Sequence, residues 1–235
     1  MHNAASAALA ASGVQGLSLS LMSRPILYDY YRSSAAYRVR IGLNLKGIDY
    51  EIRQVNLLDS EQKSDEYRAL NPQGFVPMLE IDGERLVQSL AILNYLDLRF
   101  PNQPLLPARA AERAHVVALS MAIACDIHPL NNLRVLKYLG GTLGLSQEQR
   151  DAWYAHWISE GLPALEAMAA PKAGKFLVGD APTAADVCLV PQLYNARRFN
   201  VPLDDYPTLL RADENASRIE AFAAAHPDRQ RVPPK

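Results

Sequence analysis

The chain has 235 residues, of which 49% are hydrophobic and 21% are charged, and its formal net charge is -1. This length provides for one large or two small domains, and the balanced charge argues against the basic surface of a nucleic-acid-binding protein. No stretch approaches the roughly 20 apolar residues that a membrane-spanning helix needs.

The N-terminal segment and the cysteines indicate where the protein resides. Residues 1–22 are rich in Ala, Ser and Gly and lack Lys and Arg, so we interpret residues 1–23 as a disordered extension and not as a targeting signal. Cys125 and Cys188 form no C-x-x-C motif, and the five histidines have no metal-ligand spacing. We therefore expect no metal, two packing cysteines and a cytoplasmic location.

The Tyr30–Arg40 stretch marks a change from strand to helix. Residues 25–28 are apolar and β-compatible, and residues 36–43 carry apolar side chains at helical spacing. Ser33 and Ser34 therefore occupy the cap positions, where a serine hydroxyl satisfies a free backbone amide. Alternatively, one serine caps the helix while the other directs its hydroxyl at a ligand sulfur or oxyanion.

A second strand is predicted over residues 48–55 and a short irregular helix over residues 60–70. The Asp82-Gly83 pair between two strand patterns predicts a hairpin, which gives the order β-α-β-α-β-β. Pro77 stands at the beginning of the third strand, where a cis peptide bond is a special feature. Such a bond would leave the N–H and C=O of Val76 free to pair with an extended ligand.

A second helix begins after the hairpin, with Gln88 and Ser89 at its N-terminus. A hydroxyl at the positive end of a helix suits a carboxylate, although simple N-capping explains the same serine.

The second half of the chain is predicted to be helical. It follows a proline-rich linker at residues 101–107. A helix is expected over residues 110–124, and Pro129 should bend or interrupt it. Another helix over residues 146–170 begins at a serine cap. The segment Thr183-Ala-Ala-Asp186 predicts a capping box, which we assign to folding and not to chemistry.

Four segments carry a resemblance to a known family. They are S-S-x-x-[WY]-R-V-R-I at residues 33–41, A-L-N-P-x-x-x-V-P at 69–77, Q-S-L-A-I at 88–92 and L-V-P-Q-x-x-N-A-x-R-F at 189–199. With these segments, residues 24–235 resemble the zeta class of the glutathione transferases. The resemblance implies a thioredoxin-like α/β domain at residues 24–103 and an all-α domain at residues 104–235.

The resemblance also implies an activity. Zeta-class enzymes include glutathione-dependent cis-trans isomerases that convert maleylacetoacetate or maleylpyruvate to the fumaryl isomer during the breakdown of tyrosine and other aromatic compounds. The glutathione thiolate adds to the cis double bond, the resulting single bond rotates, and elimination regenerates the cofactor. A homodimer is implied as well. Two alternatives remain: a general transferase or dehalogenase of small electrophilic acids, and a binding module without turnover.

The resemblance assigns roles to individual residues. Ser33, Ser34 and Arg198 are the catalytic candidates, with Ser33 favoured for the thiolate contact. Many zeta sequences have a cysteine where this chain has Ala35, which puts a catalytic protein thiol in doubt but leaves the serine mechanism intact. The candidates for binding glutathione are Arg32, Gln62, Lys63, Val76, Gln88, Ser89, His128, Asn132 and Arg134.

Within the glutathione site, Gln88 and Ser89 are expected at the γ-glutamyl end and Val76 at the cysteinyl backbone. Gln62, Lys63 and His128 are weaker candidates for the glycyl side. Arginine suits a dicarboxylate substrate because its guanidinium binds carboxylates bidentately, although any single arginine can equally be a solvated surface charge.

Overall fold

A computed structural model describes residues 24–230, so the extension predicted at residues 1–23 lies outside the described residues. The first part of the chain alternates strands and helices in the predicted order. Its elements are β1 (Ile26–Asp29), α1 (Ser34–Leu45), β2 (Glu51–Gln54), a 3-10 turn (Glu61–Lys63), α2 (Asp65–Leu70), β3 (Met78–Ile81), β4 (Glu84–Val87) and α3 (Ser89–Arg99).

The four strands form one mixed sheet in the order β2-β1-β3-β4. β1 is parallel to β2 and antiparallel to β3, with Leu27 opposite Ile52 on one side and Leu79 on the other. The turn between β3 and β4 uses Asp82 and Gly83, both with positive φ, which confirms the predicted hairpin. The Val76–Pro77 peptide bond before β3 is cis.

Helix α1 lies between the sheet and the helical part of the chain. One of its faces, with Val39 and Leu43, packs on the sheet and on α3. The opposite face, with Tyr37 and Ile41, enters the core of the helical part. Every residue from 36 to 43 is therefore buried, including the polar residues Arg38 and Arg40.

The second part of the chain consists of helices and their connecting loops, with no strand among residues 104–230 apart from one isolated bridge between Ala173 and Gly179. This arrangement confirms the predicted fold class, an α/β thioredoxin-like domain with an all-α domain. Its helices are α4 (Ala110–Met121), α5 (Leu133–Gly141), α6 (Gln147–Ala169), α7 (Ala184–Arg198), α8 (Pro207–Ser217) and α9 (Glu220–Ala225).

The helix expected over residues 110–124 ends earlier than predicted. α4 ends at Met121 and is followed directly by a π-helical segment (Ala122–Ile127) and a 3-10 turn (His128–Asn131). The irregularity therefore begins well before Pro129. Such π segments occur often at functional sites. Cys125 lies on this segment and is exposed, so its assignment as a packing residue is wrong, whereas Cys188 on α7 is buried.

The run from residue 110 to residue 141 contains a window that, by length and composition, is apolar enough to cross a membrane. The expectation that no stretch approaches this limit was therefore wrong. In the structure the run is interrupted by the π segment, and α4 contributes Val116 and Leu119 to the core of the helical domain. In the structure 33% of this apolar window is buried, and the core helix of a folded domain passes the same test of length and composition.

Helix α7 begins with the predicted capping box, which is buried. Asp186 accepts hydrogen bonds from the Thr183 amide at 2.8 Å, the Thr183 hydroxyl at 3.0 Å and the Leu177 amide at 2.8 Å. A second capping box, formed by Ser146 and Gln149, begins α6 at an exposed position. Both boxes pair the cap residue with the third residue of the helix, but only the buried box also bonds a group outside it, the Leu177 amide.

We expect Asp186→Asn to lower the free energy of unfolding by about 2–4 kcal/mol, because an amide cannot accept from all three donors and leaves buried groups unpaired. The measurement is urea unfolding followed by circular dichroism. Ser146→Ala at the exposed box is the matched control, with an expected loss of about 1 kcal/mol. Equal losses at the two boxes would contradict the importance of the buried network.

Candidate active site

The two serines at the start of α1 have different environments. Ser33 is the N-cap, its Oγ accepts a hydrogen bond from the Ala36 amide at 3.2 Å, and its side chain is partly exposed. Ser34 is buried, and its Oγ accepts a hydrogen bond from Asn195 Nδ2 at 2.5 Å. Capping and ligand contact, which are alternatives in the sequence, are compatible at Ser33, because its oxygen accepts from the helix while its O–H remains available to donate outward.

The turn that presents Ser33 is held by a buried arginine. Arg40 Nη1 donates to Asp29 Oδ1 at 2.7 Å, Nη2 donates to the Tyr31 carbonyl at 3.1 Å, and Nε donates to the Ala225 carbonyl at 3.0 Å. The pair has no solvent exposure. The end of β1, the serine turn and α9 are therefore joined through one guanidinium.

Arg198 lies close to the serine pair because of Asn195. Asn195 donates to Ser34 and accepts from Arg198 Nη1 at 3.5 Å. The Arg198 guanidinium also stacks near the rings of Tyr194 and Phe199, with its Cζ at 5.8 Å and 5.5 Å from the ring centroids. These contacts hold an exposed cation at the edge of the serine site.

Arg32 lies at the same edge. It is exposed, and its Cζ is 5.1 Å from the Tyr31 ring centroid. Burial raises the pKa of Tyr194, and the positive charges of Arg198 and Arg32 both oppose that rise. Both cations therefore lie near the same aromatic group, where the negative charge of Asp228 acts in the opposite direction on the pKa of Tyr194.

The loop before β3 places a second set of predicted residues together. Val76 is buried, and its backbone N–H and C=O have no partner among residues 24–230. Gly74, with φ of +62°, approaches Gln62 so closely that a Cβ at position 74 would lie 2.7 Å from the Gln62 carbonyl oxygen. Gln62 is itself buried, and its Oε1 has no partner within the described chain. Backbone and amide groups left free in this way suit a peptide ligand.

Helix α5 reaches over this loop from the helical domain. The Cζ of Arg134 is 5.1 Å from the ring centroid of Phe75, next to Val76. Asn132 caps α5 by accepting from the Arg134 amide at 3.1 Å, so its side chain has a structural role whatever else it does. Lys63, by contrast, is exposed, and its side chain forms no hydrogen bond or ion pair within residues 24–230.

At the start of α3, Gln88 has φ of +69°, a strained conformation for a non-glycine residue, and is exposed. Its Nε2 donates to Gln73 Oε1 at 2.9 Å. Ser89, the first residue of α3, is buried and accepts a hydrogen bond from Arg38 Nη1 at 3.2 Å. Arg38 Nη2 also lies 3.4 Å from His128 Nδ1, so His128 lies with Ser89.

Three residues of this region were missed by the sequence analysis: Arg38, Arg40 and Asn195. Each lies inside a segment that carried the resemblance, but none was assigned a role. The signal available was the R-x-R pattern at residues 38–40, because two arginines in an apolar helical segment need buried partners. No group of three metal-ligating side chains is assembled within residues 24–230.

The environment of His128 has a consequence for stability. Burial, with a further contribution from Arg38, lowers the pKa of His128 from 6.5 to about 3. Between these values the unfolded chain binds a proton at this residue and the folded protein does not, so stability should decrease as the pH falls from 6.5.

We expect His128→Gln to remove this part of the pH dependence, because glutamine offers Arg38 an acceptor without titrating. Urea unfolding of both proteins at about pH 5 and about pH 7 measures the effect. If the free energy of unfolding changes by the same amount between these pH values in the wild type and in His128→Gln, His128 is not held neutral in the folded protein.

A cavity of about 320 Å³ opens at the other end of α1, beside Asn44, Lys46 and Ile219. Its charged group is already satisfied, since Lys46 Nζ donates to Asp97 at 3.0 Å and contacts three backbone carbonyls. We assign no ligand to this cavity.

Comparisons with known proteins agree with this geometry. Residues 24–98 match the family described as glutathione S-transferase, N-terminal domain, and residues 147–215 match its C-terminal domain. The chain is 50% identical over 208 residues to a probable maleylacetoacetate isomerase of Vibrio cholerae, covering 87% of this chain and 96% of the relative. It is 45% identical over 206 residues to a maleylpyruvate isomerase of Ralstonia sp, and the match covers 87% of this chain and 97% of that relative.

Among solved structures, the chain is similar to a maleylacetoacetate isomerase from Anaeromyxobacter dehalogenans with bound dicarboxyethyl glutathione and citrate in its active site. The TM-score is 0.79 at 45% identity, and the match covers 89% of this chain and 98% of the other.

Proposed function

Because this chain belongs to the glutathione S-transferase family, we propose that it is a zeta-class, glutathione-dependent isomerase that converts a maleyl diketo acid, maleylacetoacetate or maleylpyruvate, to its fumaryl isomer. The matches to both family domains confirm the resemblance seen in the four sequence segments. The observation that carries the proposal is the series of contacts from Ser34 through Asn195 to Arg198 at the start of α1, where Ser33 is the N-cap. These contacts hold a cation that has no carboxylate partner among residues 24–230.

The described residues fit glutathione. The free backbone groups of Val76 suit the cysteinyl peptide, and Ser89 at the N-terminus of α3 suits a carboxylate. The unpartnered amide oxygen of Gln62 lies beside the same loop. When bound, glutathione supplies a thiolate that adds to the conjugated double bond and leaves again after rotation.

The residues of the chain supply the remaining requirements. Ser33 donates its O–H to the sulfur and, with the N-terminus of α1, favours the thiolate form. Arg198 and Arg32 bind the carboxylates of the substrate and stabilise negative charge that develops during the reaction. The rings of Tyr194 and Phe199 keep the Arg198 guanidinium in place.

The test is the loss of ultraviolet absorbance of a freshly prepared maleyl diketo acid, with and without glutathione. We expect rapid loss only with glutathione, and the fumaryl isomer as the product. Comparison of kcat/KM for maleylacetoacetate and maleylpyruvate then identifies the preferred substrate. Glutathione binding and conjugation of a chloro-substituted electrophile without isomerisation would instead establish the general transferase.

Three further properties belong to this proposal. We place the domain boundary between residues 103 and 104, in the linker after α3.

We propose a homodimer, which is supported by the resemblance and by exposed apolar side chains such as Leu98 and Met121. Sedimentation equilibrium tests this oligomeric state. A cytoplasmic location is supported by two cysteines that form no disulfide with each other.

A further inference from the structure

Arg38 is a buried cation that joins the two domains. It lies in the middle of α1 and is only 2% exposed. Its Nη1 donates to Ser89 Oγ on α3 at 3.2 Å, and its Nη2 lies 3.4 Å from His128 Nδ1 at the end of the π segment. One guanidinium therefore contacts two predicted ligand residues from different parts of the chain.

The charge of Arg38 is not balanced by the described protein. No carboxylate among residues 24–230 lies within ion-pair distance of it, and its Nε is buried without a partner. Arg40, two residues further along the same helix, shows the contrast, since it pairs with Asp29 at 2.7 Å. The charge of Arg38 acts to lower the pKa of the Cys188 thiol, but burial is the larger effect and raises it, so this group stays neutral. A buried, unbalanced cation favours the binding of an anion nearby.

The contact with Arg38 determines how Ser89 uses its hydroxyl. Because its oxygen accepts from the guanidinium, its O–H is directed to another acceptor. Ser89 is the first residue of α3, whose N-terminal amides also point toward that acceptor. Both features favour a carboxylate in front of Ser89.

Arg38 also determines which nitrogen of His128 carries the ring proton. Its Nδ1 faces a group that can only donate, so the ring proton resides on Nε2, which becomes a donor. Burial and Arg38 both lower the pKa of this imidazole, so it stays neutral at physiological pH. Arg38 therefore makes both neighbours hydrogen-bond donors.

We propose that Arg38 is a positioning residue for the α-carboxylate of the γ-glutamyl group, acting through Ser89 and His128. This inference rests on the proposed function, because it names the part of glutathione that these residues select. It moves His128 from the glycyl side, where the resemblance suggested it, to the γ-glutamyl end. Arg38 itself is too deeply buried to contact the ligand directly, so it acts through these two neighbours.

Calorimetric titration with three tripeptides tests the inference. Glutathione carries both the α-amino and the α-carboxylate group, glutaryl-Cys-Gly lacks only the amine, and 4-aminobutyryl-Cys-Gly lacks only the carboxylate. For Arg38→Met we expect affinity to fall at least about tenfold for the first two ligands and less than about twofold for the third. Arg38→Lys, which keeps the charge but not the fork of donors, should be intermediate.

The outcomes separate the two proposals. A wild-type protein that does not bind glutathione would overturn the proposed function. If the wild-type protein binds glutathione but Arg38→Met loses the same amount of affinity for all three ligands, only the role of Arg38 is overturned.

Variants of the two neighbours keep the test decisive if Arg38→Met does not fold. His128→Gln should keep the preference for ligands with the carboxylate, whereas His128→Leu and Ser89→Ala should each reduce it. Where the double variant Arg38→Met/Ser89→Ala folds, its affinity for glutathione should be no lower than that of the weaker-binding single variant. The reason is that Arg38 acts on the carboxylate through Ser89, so the two losses do not add. An unchanged preference in both His128→Leu and Ser89→Ala would refute the inference.

Discussion

Replacing Arg198 with alanine is expected to lower kcat/KM for isomerisation by about 10- to 100-fold, the effect of losing one charge-assisted contact to a carboxylate. The affinity for glutathione should change by less than about twofold. The reason is the position of Arg198, which faces the serine pair through Asn195 and is not bound to any carboxylate among residues 24–230. Steady-state kinetics and calorimetry measure the two quantities separately.

The adjacent arginine provides the control. Arg197→Ala removes the same charge one residue away, but the Arg197 guanidinium pairs with Asp213 at 2.6 Å. The Arg197→Ala substitution should lower the free energy of unfolding and leave kcat/KM within about twofold of the wild-type value, because Arg197 pairs with Asp213 and not with the substrate. Arg198→Lys should recover part of the activity through its charge. Equal kinetic effects at positions 197 and 198 would show that Arg198 is ordinary surface charge.

Local signals in the sequence were sufficient for much of the fold. The Asp82-Gly83 turn, the serine caps of α1 and α6 and the Thr183–Asp186 capping box involve residues that are close along the chain, so their geometry follows from short-range patterns. The same holds for the serine pair, which stands where a strand pattern gives way to a helical one.

The connections between these elements could not be read in this way. Arg38 meets His128 across 90 positions, and Asn195 meets Ser34 across 161. A single sequence gives the polar residue but not its partner, because the partner is selected by how α1 is enclosed between the sheet and the helical domain. The π segment before His128 is similar, since it depends on packing and no proline or glycine within it announces the change.

The hydroxyl of Ser33 should determine how much of the bound cofactor is ionised. We expect Ser33→Ala to raise the pKa of the bound glutathione thiol by about one to two units, since a hydrogen bond to a charged group contributes about 1.5–3 kcal/mol. The thiolate absorbs in the ultraviolet, so a pH titration of the complex measures this pKa directly. At neutral pH the isomerisation rate should fall with the thiolate fraction.

Ser33 also caps α1, and the two roles must be separated. Glycine at an N-cap costs only a few tenths of a kcal/mol, whereas alanine costs about 1 kcal/mol, yet both remove the hydroxyl. Ser33→Gly and Ser33→Ala should therefore raise the thiol pKa equally while differing in stability, and Ser33→Thr should preserve both properties. Ser34→Ala is the positional control, because the Ser34 hydroxyl is buried against Asn195. If Ser34→Ala raises the thiol pKa and Ser33→Gly does not, the thiolate contact belongs to Ser34.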